Sequence, residues 1–113
     1  MDNTCVFCKI ISGAIPSKKL FEDEHVVVIH DIHPAAKVHL LVLPKRHYKN
    51  ILELDDAGLA AKIHAAIQRA ANESGVASGG FRVIANCGAD GGQTVPHLHY
   101  HILGGSNLGP KLV

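Results

Sequence analysis

Apolar positions along the chain predict three strands before a long helix and two strands after it. Two apolar runs, over residues 25–30 and 38–43, are separated by a polar stretch that contains Pro34. Because proline cannot continue a central strand, the two runs are expected to form separate strands that pair antiparallel. Residues 20–22 predict a shorter strand that forms a hairpin with the first run.

The long helix is predicted over residues 55–74, where apolar side chains recur at intervals of three and four residues. A shorter helix is predicted over residues 5–12, before a Ser-Gly stop. The last two strands are predicted over residues 81–85 and 94–103, and a glycine-rich loop over residues 88–92 separates them.

This order of elements indicates the α+β class, in which a largely antiparallel sheet packs on the long helix, rather than alternating βαβ units. We expect one domain over residues 1–113, since a chain of this length can bury one hydrophobic core. The segment of about residues 104–113 is rich in glycine and proline, and we expect it to form a tail that leaves the domain body.

Charge and apolar content exclude several classes of partner. Eleven Lys and Arg against ten Asp and Glu give a formal net charge of +1, so we expect no nucleic-acid partner and no acidic membrane surface. The apolar runs are shorter than the roughly 18 residues of a membrane helix, and residues 1–3 do not begin a secretory signal. We therefore expect a cytoplasmic protein.

Histidine is the unusual part of the composition, with nine in the chain. His97, His99 and His101 alternate with apolar residues, and in a strand such positions share one face at intervals of about 6.6 Å. The loop over residues 88–92 precedes them and offers backbone N–H groups to a phosphate. One alternative is an exposed polar face of an edge strand, and another is a catalytic zinc held by a His-x-His pair and His39.

Residues 97–103, His-Leu-His-Tyr-His-Ile-Leu, resemble the signature of the histidine-triad (HIT) superfamily. Residues 90–94, Asp-Gly-Gly-Gln-Thr, are similar to its nucleotide-binding branch, and the C-terminal segment resembles that of bacterial members. Further matches in order and spacing lie at residues 7–11, 14–17, 30–32, 39–42 and 103–105. The resemblance implies a five-stranded, largely antiparallel sheet with one long and one short N-terminal helix, and a homodimer whose two sheets join.

The resemblance also implies a hydrolase that cleaves purine nucleoside phosphoramidates, of the adenosine phosphoramidate type, through a nucleotidyl-histidine intermediate. His99 would be the nucleophile, and His101 and His39 would flank the phosphate. Thr94 would contact the leaving group, where relatives commonly carry serine. The open alternatives are a dinucleoside polyphosphate hydrolase or nucleotidyl transferase of the same superfamily, and a nucleotide-binding or protein-interaction module with little turnover.

The implied nucleotide site combines polar and apolar contacts. Asp31 would accept both ribose hydroxyls, which requires a bidentate acceptor. Asn86 and the Gly92 N–H would contact the phosphate or the leaving group, and four apolar residues would surround the purine. The complete implied site is Phe7, Ile10, Asp31, Ile32, Leu41, Asn86, Gly92, Thr94, His99 and His101.

Cysteine spacing points to a metal. Cys5 and Cys8 have the spacing of structural zinc ligands, and a complete site needs two more. His47 and His97 are the candidates, by similarity to bacterial members that carry such a zinc, which would make His97 structural rather than catalytic. The alternative is a pair of buried thiols without metal. Cys87 stands alone, and we expect it to be a small buried residue.

Overall fold

The computed structural model describes residues 4–112 as a five-stranded sheet with a helix on each face. Residues 1–3 and 113, which the predicted domain and tail include, lie outside the described residues. The elements are α1 (Val6–Ser12), β1 (Lys19–Glu22), β2 (Val26–His30), β3 (Val38–Pro44), a 3-10 helix (Ile51–Glu53), α2 (Ala57–Ser74), β4 (Phe81–Ile84) and β5 (Tyr100–Gly104).

The strands lie in the order β1-β2-β3-β5-β4, and every neighbouring pair is antiparallel. The predicted α+β class and five-stranded antiparallel sheet are therefore confirmed. β2 and β3 pair as expected, with Val28 opposite Val42. β5 lies between β3 and β4, so His101 stands opposite both Leu41 and Ile84 in the interior of the sheet.

Helix α2 covers one face of the sheet and forms the larger core with it. Leu40 and Ile102 of the sheet, both fully buried, belong to this core, as does Leu59 of the helix. The helix begins at Ala57 and not at residue 55, because the Asp56 backbone is extended and its carboxylate caps the helix by accepting the Leu59 N–H at 3.0 Å.

Helix α1 covers the opposite face, over the side chains of Val27, Ile29, Leu41 and Leu43. Cys5, predicted as helical, is the N-cap: its Sγ accepts the Cys8 N–H at 3.3 Å. Since residues directly opposite each other in a sheet point to the same face, His101, opposite Leu41, lies on the α1 face. The α1 face is therefore where the histidines lie.

Strand β5 is shorter than predicted, because the segment before it does not join the hydrogen-bonded ladder. Pro96 has no N–H to donate. The next two N–H groups bond elsewhere: that of His97 to the Val95 carbonyl at 2.9 Å, and that of Leu98 to the Tyr48 carbonyl at 2.6 Å. The predicted strand is wrong for residues 94–99. His97 and His99 therefore lie in the irregular segment that precedes β5.

The remaining boundaries differ from the prediction by one residue: β1 begins at Lys19, β2 begins at Val26, β3 ends at Pro44 and β4 ends at Ile84. Gly104, predicted to start the tail, is the last residue of β5. Beyond it, the Arg82 guanidinium donates a hydrogen bond to the Gly109 carbonyl. Within residues 4–112, neither helix has the length and apolar character that crossing a bilayer requires.

Candidate active site

His99 lies at the centre of the α1 face and is held by its own backbone neighbourhood. Its ring is buried, with 5% of the residue exposed, and its Nδ1 lies 2.7 Å from the His97 carbonyl oxygen. A carbonyl can only accept, so Nδ1 carries the proton. A neutral His99 therefore keeps its lone pair on Nε2, the atom that a nucleophile needs.

His39 and His101 form a second pair whose protons are also assigned by a backbone group. The Ala35 N–H donates to His39 Nδ1 at 2.9 Å, so the proton of a neutral His39 is on Nε2. His39 Nε2 lies 2.8 Å from His101 Nδ1 and donates to it. His101 is then left with an Nε2–H that can donate to an anion.

The rings of His39, His101 and His99 form a continuous row. Ring centroids are 5.1 Å apart between His39 and His101, and 5.0 Å apart between His101 and His99. Burial, together with the smaller effects of the neighbouring His99 and His39, lowers the pKa of His101 to about 4, while Asp31 opposes the shift. Burial also lowers the pKa of His39, again opposed by Asp31. Both rings are therefore neutral near pH 7 in the free protein.

Asp31 lies at the outer end of this row. One carboxylate oxygen, Oδ2, is 3.4 Å from His39 Nε2, and the other, Oδ1, accepts the His33 N–H at 2.8 Å. Possible ligand atoms of Asp31, His39 and His101 lie within 4.8 Å of one another. The catalytic-zinc alternative needs lone pairs on the facing nitrogens of His39 and His101. The hydrogen bond between those nitrogens favours a shared proton instead.

The predicted purine wall is only partly assembled. Phe7, Ile10 and Leu41 are buried together in the core beneath α1. The Phe7 ring meets the His99 ring edge-on, with centroids 5.0 Å apart, so the predicted wall adjoins His99. Ile32, the fourth predicted residue, is 83% exposed and lies outside this cluster. Its contact with a purine stays a prediction.

The predicted phosphate donors already have partners within the glycine-rich loop. Asn86 Nδ2 donates to the Gly91 carbonyl at 2.7 Å, and the Gly92 N–H donates to the Ala89 carbonyl at 3.1 Å. Thr94 follows the loop and is exposed. The contacts predicted for Asn86 and Gly92 would therefore require these hydrogen bonds to be exchanged or shared.

Two residues that support the site received no role from the sequence. Gln93 connects the glycine-rich loop to the segments around it. Its Nε2 donates to the carbonyls of Lys49 and Val95, and its Oε1 accepts the Gly88 N–H. Its place in the Asp-Gly-Gly-Gln-Thr motif was an available signal. Ala35 acts through its backbone N–H, which any residue except proline supplies, so no sequence signal exists for it.

The predicted metal ligands Cys5, Cys8, His47 and His97 are brought together, with ligand atoms within 4.8 Å of one another. The two cysteines and His97 are buried, and His47 is exposed. His97 Nε2 donates to the Pro44 carbonyl at 3.0 Å, so the lone pair is on Nδ1 and faces the other three ligands.

Distances from His97 Nδ1 are 3.3 Å to Cys5 Sγ, 3.5 Å to Cys8 Sγ and 3.0 Å to His47 Nδ1. Tetrahedral zinc would separate such ligands by about 3.3 to 3.8 Å, as follows from the usual Zn–N and Zn–S bond lengths. Two sulfurs and two imidazoles are also the ligand types that zinc prefers. The two distances to sulfur lie in this range, and the 3.0 Å between the two nitrogens would reach it with a small shift of the exposed His47 ring, so the residues fit a structural zinc.

The fold and the histidine row are those of a histidine-triad protein. The family model for the HIT domain matches residues 12–108, so the chain belongs to this family, as its sequence predicted. A HIT family hydrolase from Clostridium thermocellum is 48% identical, covers 100% of both chains and superposes with a TM-score of 0.95.

A histidine triad protein from Clostridium difficile is 47% identical, with a TM-score of 0.91 over 97% of this chain and 98% of the other. An uncharacterised HIT-like protein from Azospirillum brasilense is 40% identical over 98% of this chain and 93% of its own length.

Proposed function

We propose that this protein is a nucleotide-binding hydrolase that cleaves purine nucleoside phosphoramidates, of the adenosine phosphoramidate type, through a nucleotidyl-histidine intermediate on His99. The observation that carries the proposal is the 2.7 Å hydrogen bond from His99 Nδ1 to the His97 carbonyl, which leaves Nε2 as the lone-pair nitrogen. The similarity to a solved HIT family hydrolase supports the reaction class.

The reaction proceeds in two displacements at phosphorus. His99 Nε2 forms a bond to the α-phosphorus while the P–N bond breaks, and the departing nitrogen takes up a proton. Water then attacks the same phosphorus and releases His99, and the proton that water gives up balances the one taken up before. The products are an amine and a nucleoside monophosphate.

His101 and Thr94 stabilise the charges that change in these steps. The Nε2–H of His101 donates to a phosphate oxygen, where negative charge concentrates in the transition state. The Thr94 hydroxyl contacts the leaving group. His39 acts as a positioning residue, since its two nitrogens are already bonded to Ala35 and His101, rather than as the direct phosphate contact expected from the sequence.

The nucleoside is recognised on either side of the histidine row. The Asp31 carboxylate accepts the two ribose hydroxyls, and Phe7, Ile10 and Leu41 contact the purine from beneath α1. Ile32 covers the exposed side of the base. Asn86 and the Gly92 N–H turn from their loop partners to the phosphate or the leaving group.

A trapping experiment tests the mechanism. Enzyme mixed with an adenosine phosphoramidate that carries a good leaving group, and quenched early, is expected to hold an acid-labile, base-stable nucleotide on His99. His99→Ala should lose the label and nearly all turnover while still binding nucleotide, and His99→Gly should be rescued in part by added imidazole. His25→Ala is the matched control, because the His25 side chain is 41% exposed and its ring contacts Glu24 and Lys62.

Two results would refute the proposal. Near-normal turnover by His99→Ala removes His99 as the nucleophile, and loss of activity on chelation with no adduct on intact His99 favours a metal-bound hydroxide. Rates on a dinucleoside polyphosphate, measured beside the phosphoramidate, decide between cleavage of P–N and phosphoanhydride bonds. Tight binding without turnover of either substrate leaves the binding-module alternative.

We also propose that Cys5, Cys8, His47 and His97 hold one structural zinc. Bound there, zinc would link the start of α1 to the segment that carries the histidines. Elemental analysis of protein purified without a metal column should find about one zinc per chain. Cys5→Ala combined with Cys8→Ala should abolish the zinc and lower the melting temperature while leaving measurable turnover. Zinc-free native protein would mean that the cysteines are buried thiols.

The working form is proposed to be a homodimer in the cytoplasm. β4 is an edge strand in the described sheet, and its Phe81 and Val83 are 37% and 45% exposed, so a second copy can pair there and join the two sheets. Sedimentation should give the mass of a dimer, and Val83→Lys should shift it toward monomer. Cys5, Cys8 and Cys87 form no disulfide, which suits a reducing compartment.

A further inference from the structure

One residue belongs to both the candidate metal centre and the candidate active site. The His97 ring contributes Nδ1 to the group formed with Cys5, Cys8 and His47. The His97 carbonyl, on the same residue, accepts the proton of His99 Nδ1 at 2.7 Å. A displacement of His97 therefore also displaces its carbonyl, the acceptor that fixes the tautomer and orientation of the His99 ring.

Phe7 makes a second connection between the two sites. It lies between Cys5 and Cys8 in the chain, at the start of α1. Its ring meets the His97 ring edge-on, with centroids 5.9 Å apart and planes at 88°, and meets the His99 ring at 5.0 Å and 72°. The position of the first turn of α1, which carries the cysteine ligands, is thus transmitted through Phe7 to the same two imidazoles.

The sheet does not hold the His97 carbonyl in place. β5 begins at Tyr100, so His97 and His99 precede the ladder. One backbone bond does restrain it, since the Leu98 N–H, in the same peptide group as the His97 carbonyl, donates to the Tyr48 carbonyl. The His97 ring adds a second anchor, through the Pro44 carbonyl and the ligand cluster. Two nitrogens 3.0 Å apart, His97 Nδ1 and His47 Nδ1, need a cation or a proton between them to attract. A zinc ion bonded to both nitrogens would hold them more firmly than a shared proton, so we expect occupancy of the cluster to strengthen this anchor.

We propose that the Cys5, Cys8, His47 and His97 centre is a positioning site for the nucleophile: bound zinc holds His97 and Phe7 so that His99 keeps Nδ1–H on the His97 carbonyl and presents Nε2 to phosphorus. The zinc does not contact the reacting atoms, and its ligands are positioning residues. The inference rests on the proposed catalytic role of His99 and on the proposed zinc.

The expected consequence is a lower kcat in the metal-free protein. Losing the orientation that one hydrogen bond provides should reduce kcat by about tenfold. The ribose contact at Asp31 lies at the far end of the histidine row, so KM should change much less. His47 is the informative ligand to replace, because it is exposed and its contacts are with cluster members rather than with His99.

The experiment compares zinc-loaded and chelator-stripped forms of wild type, His47→Asn and the surface control His25→Asn. Three quantities are measured: zinc content, kcat and KM on an adenosine phosphoramidate, and the nitrogen NMR signals of the His99 ring without substrate. Loaded wild type and His25→Asn should show one His99 tautomer, protonated on Nδ1. Stripping, or His47→Asn, should give mixed tautomers and lower kcat, and added zinc should restore wild type.

A Phe7→Leu variant provides the test if the stripped protein unfolds. It keeps all four ligands and removes the aromatic edge from His99. We expect zinc content as in wild type, mixed His99 tautomers and reduced kcat. Unchanged tautomer and kcat in this variant would remove the Phe7 connection.

The outcomes separate this inference from the proposed reaction. A folded, stripped protein with unchanged His99 signals and unchanged kcat overturns the positioning role and leaves the hydrolase proposal intact. His99 signals that follow zinc in a protein with no phosphoramidate turnover support the positioning role and overturn the proposed reaction. Failure of wild type to bind zinc overturns the positioning role outright.

Discussion

His39 makes two hydrogen bonds with opposite sides of its ring, and two substitutions remove them one at a time. In His39→Asn, the side-chain oxygen can occupy the place of Nδ1 and accept the Ala35 N–H, but nothing donates to His101. In His39→Gln, the side-chain nitrogen can occupy the place of Nε2 and donate to His101, but the Ala35 N–H loses its acceptor. Comparing the two variants therefore separates the hydrogen bond that holds the turn at Ala35 from the hydrogen bond donated to His101.

The size of each effect follows from the environment of the bonds. His39 is buried, with 8% of the residue exposed, so each lost hydrogen bond should cost about 1 kcal/mol. The free energy of unfolding should fall by about that amount in both variants, since each loses one bond. If the donor to His101 is needed in the transition state, kcat should fall about fivefold in His39→Asn and remain near wild type in His39→Gln.

Initial rates on an adenosine phosphoramidate give kcat for each variant. Urea unfolding followed by circular dichroism gives its free energy of unfolding. His39→Phe removes both hydrogen bonds at similar side-chain volume. Its free energy of unfolding should fall by about 2 kcal/mol, and its kcat should fall as well. Equal kcat values for His39→Asn and His39→Gln would show that the hydrogen bond from His39 to His101 does not affect the rate. The contact between His39 and His101 would then contribute only to packing.

Three further predictions concern the ribose contact, the histidine row and the glycine-rich loop. Asp31→Ala should weaken binding of adenosine monophosphate by about 1.5 to 3 kcal/mol in calorimetry and spare 2′,3′-dideoxy analogues; equal losses would remove Asp31 from the ribose site. Because burial lowers the His101 pKa from 6.5 to about 4 in the folded protein, the NMR titration of His101 should have its midpoint near pH 4, and bound nucleotide should raise that pKa. The same shift means that stability should be full above about pH 6.5 and decline as pH falls toward 4; a midpoint near 6.5 would contradict both statements. Gly91→Ala should weaken nucleotide binding, because its Cβ would overlap the Cys87 carbonyl, whereas Gly79→Ala, in open space, should bind normally.

The strands were predictable where burial is continuous. Residues 26–29 and 40–44 are buried on both faces because α1 covers one side of the sheet and α2 the other, so both segments are uninterrupted apolar runs in the sequence. Residues 94–99 show the limit of this reasoning. Their alternating pattern is typical of a strand, but Pro96 and the bond from Leu98 to Tyr48 keep them out of the ladder, and neither effect is visible in periodicity.

The site was predictable where chemistry depends on spacing and not where it depends on the backbone. Cys5 and Cys8 are three residues apart on one helical turn, so their meeting follows from local geometry, and the resemblance supplied His47 and His97. The donor to His39 is a main-chain N–H, at Ala35, which leaves no trace in the sequence. This donor can be identified only from the conformation of the turn after β2.

Two histidines on the same face, two residues apart, are suited to different chemistry because carbonyl groups bind opposite nitrogens of their rings. The Pro44 carbonyl accepts from Nε2 of His97 and leaves Nδ1 free to face the thiols. The His97 carbonyl accepts from Nδ1 of His99 and leaves the lone pair on Nε2, the atom that the proposed reaction uses. Since carbonyl groups do not titrate, these assignments persist wherever the rings are neutral. The repeat of histidine at alternate positions therefore cannot by itself tell a metal ligand from a nucleophile; the backbone acceptor of each ring makes that distinction.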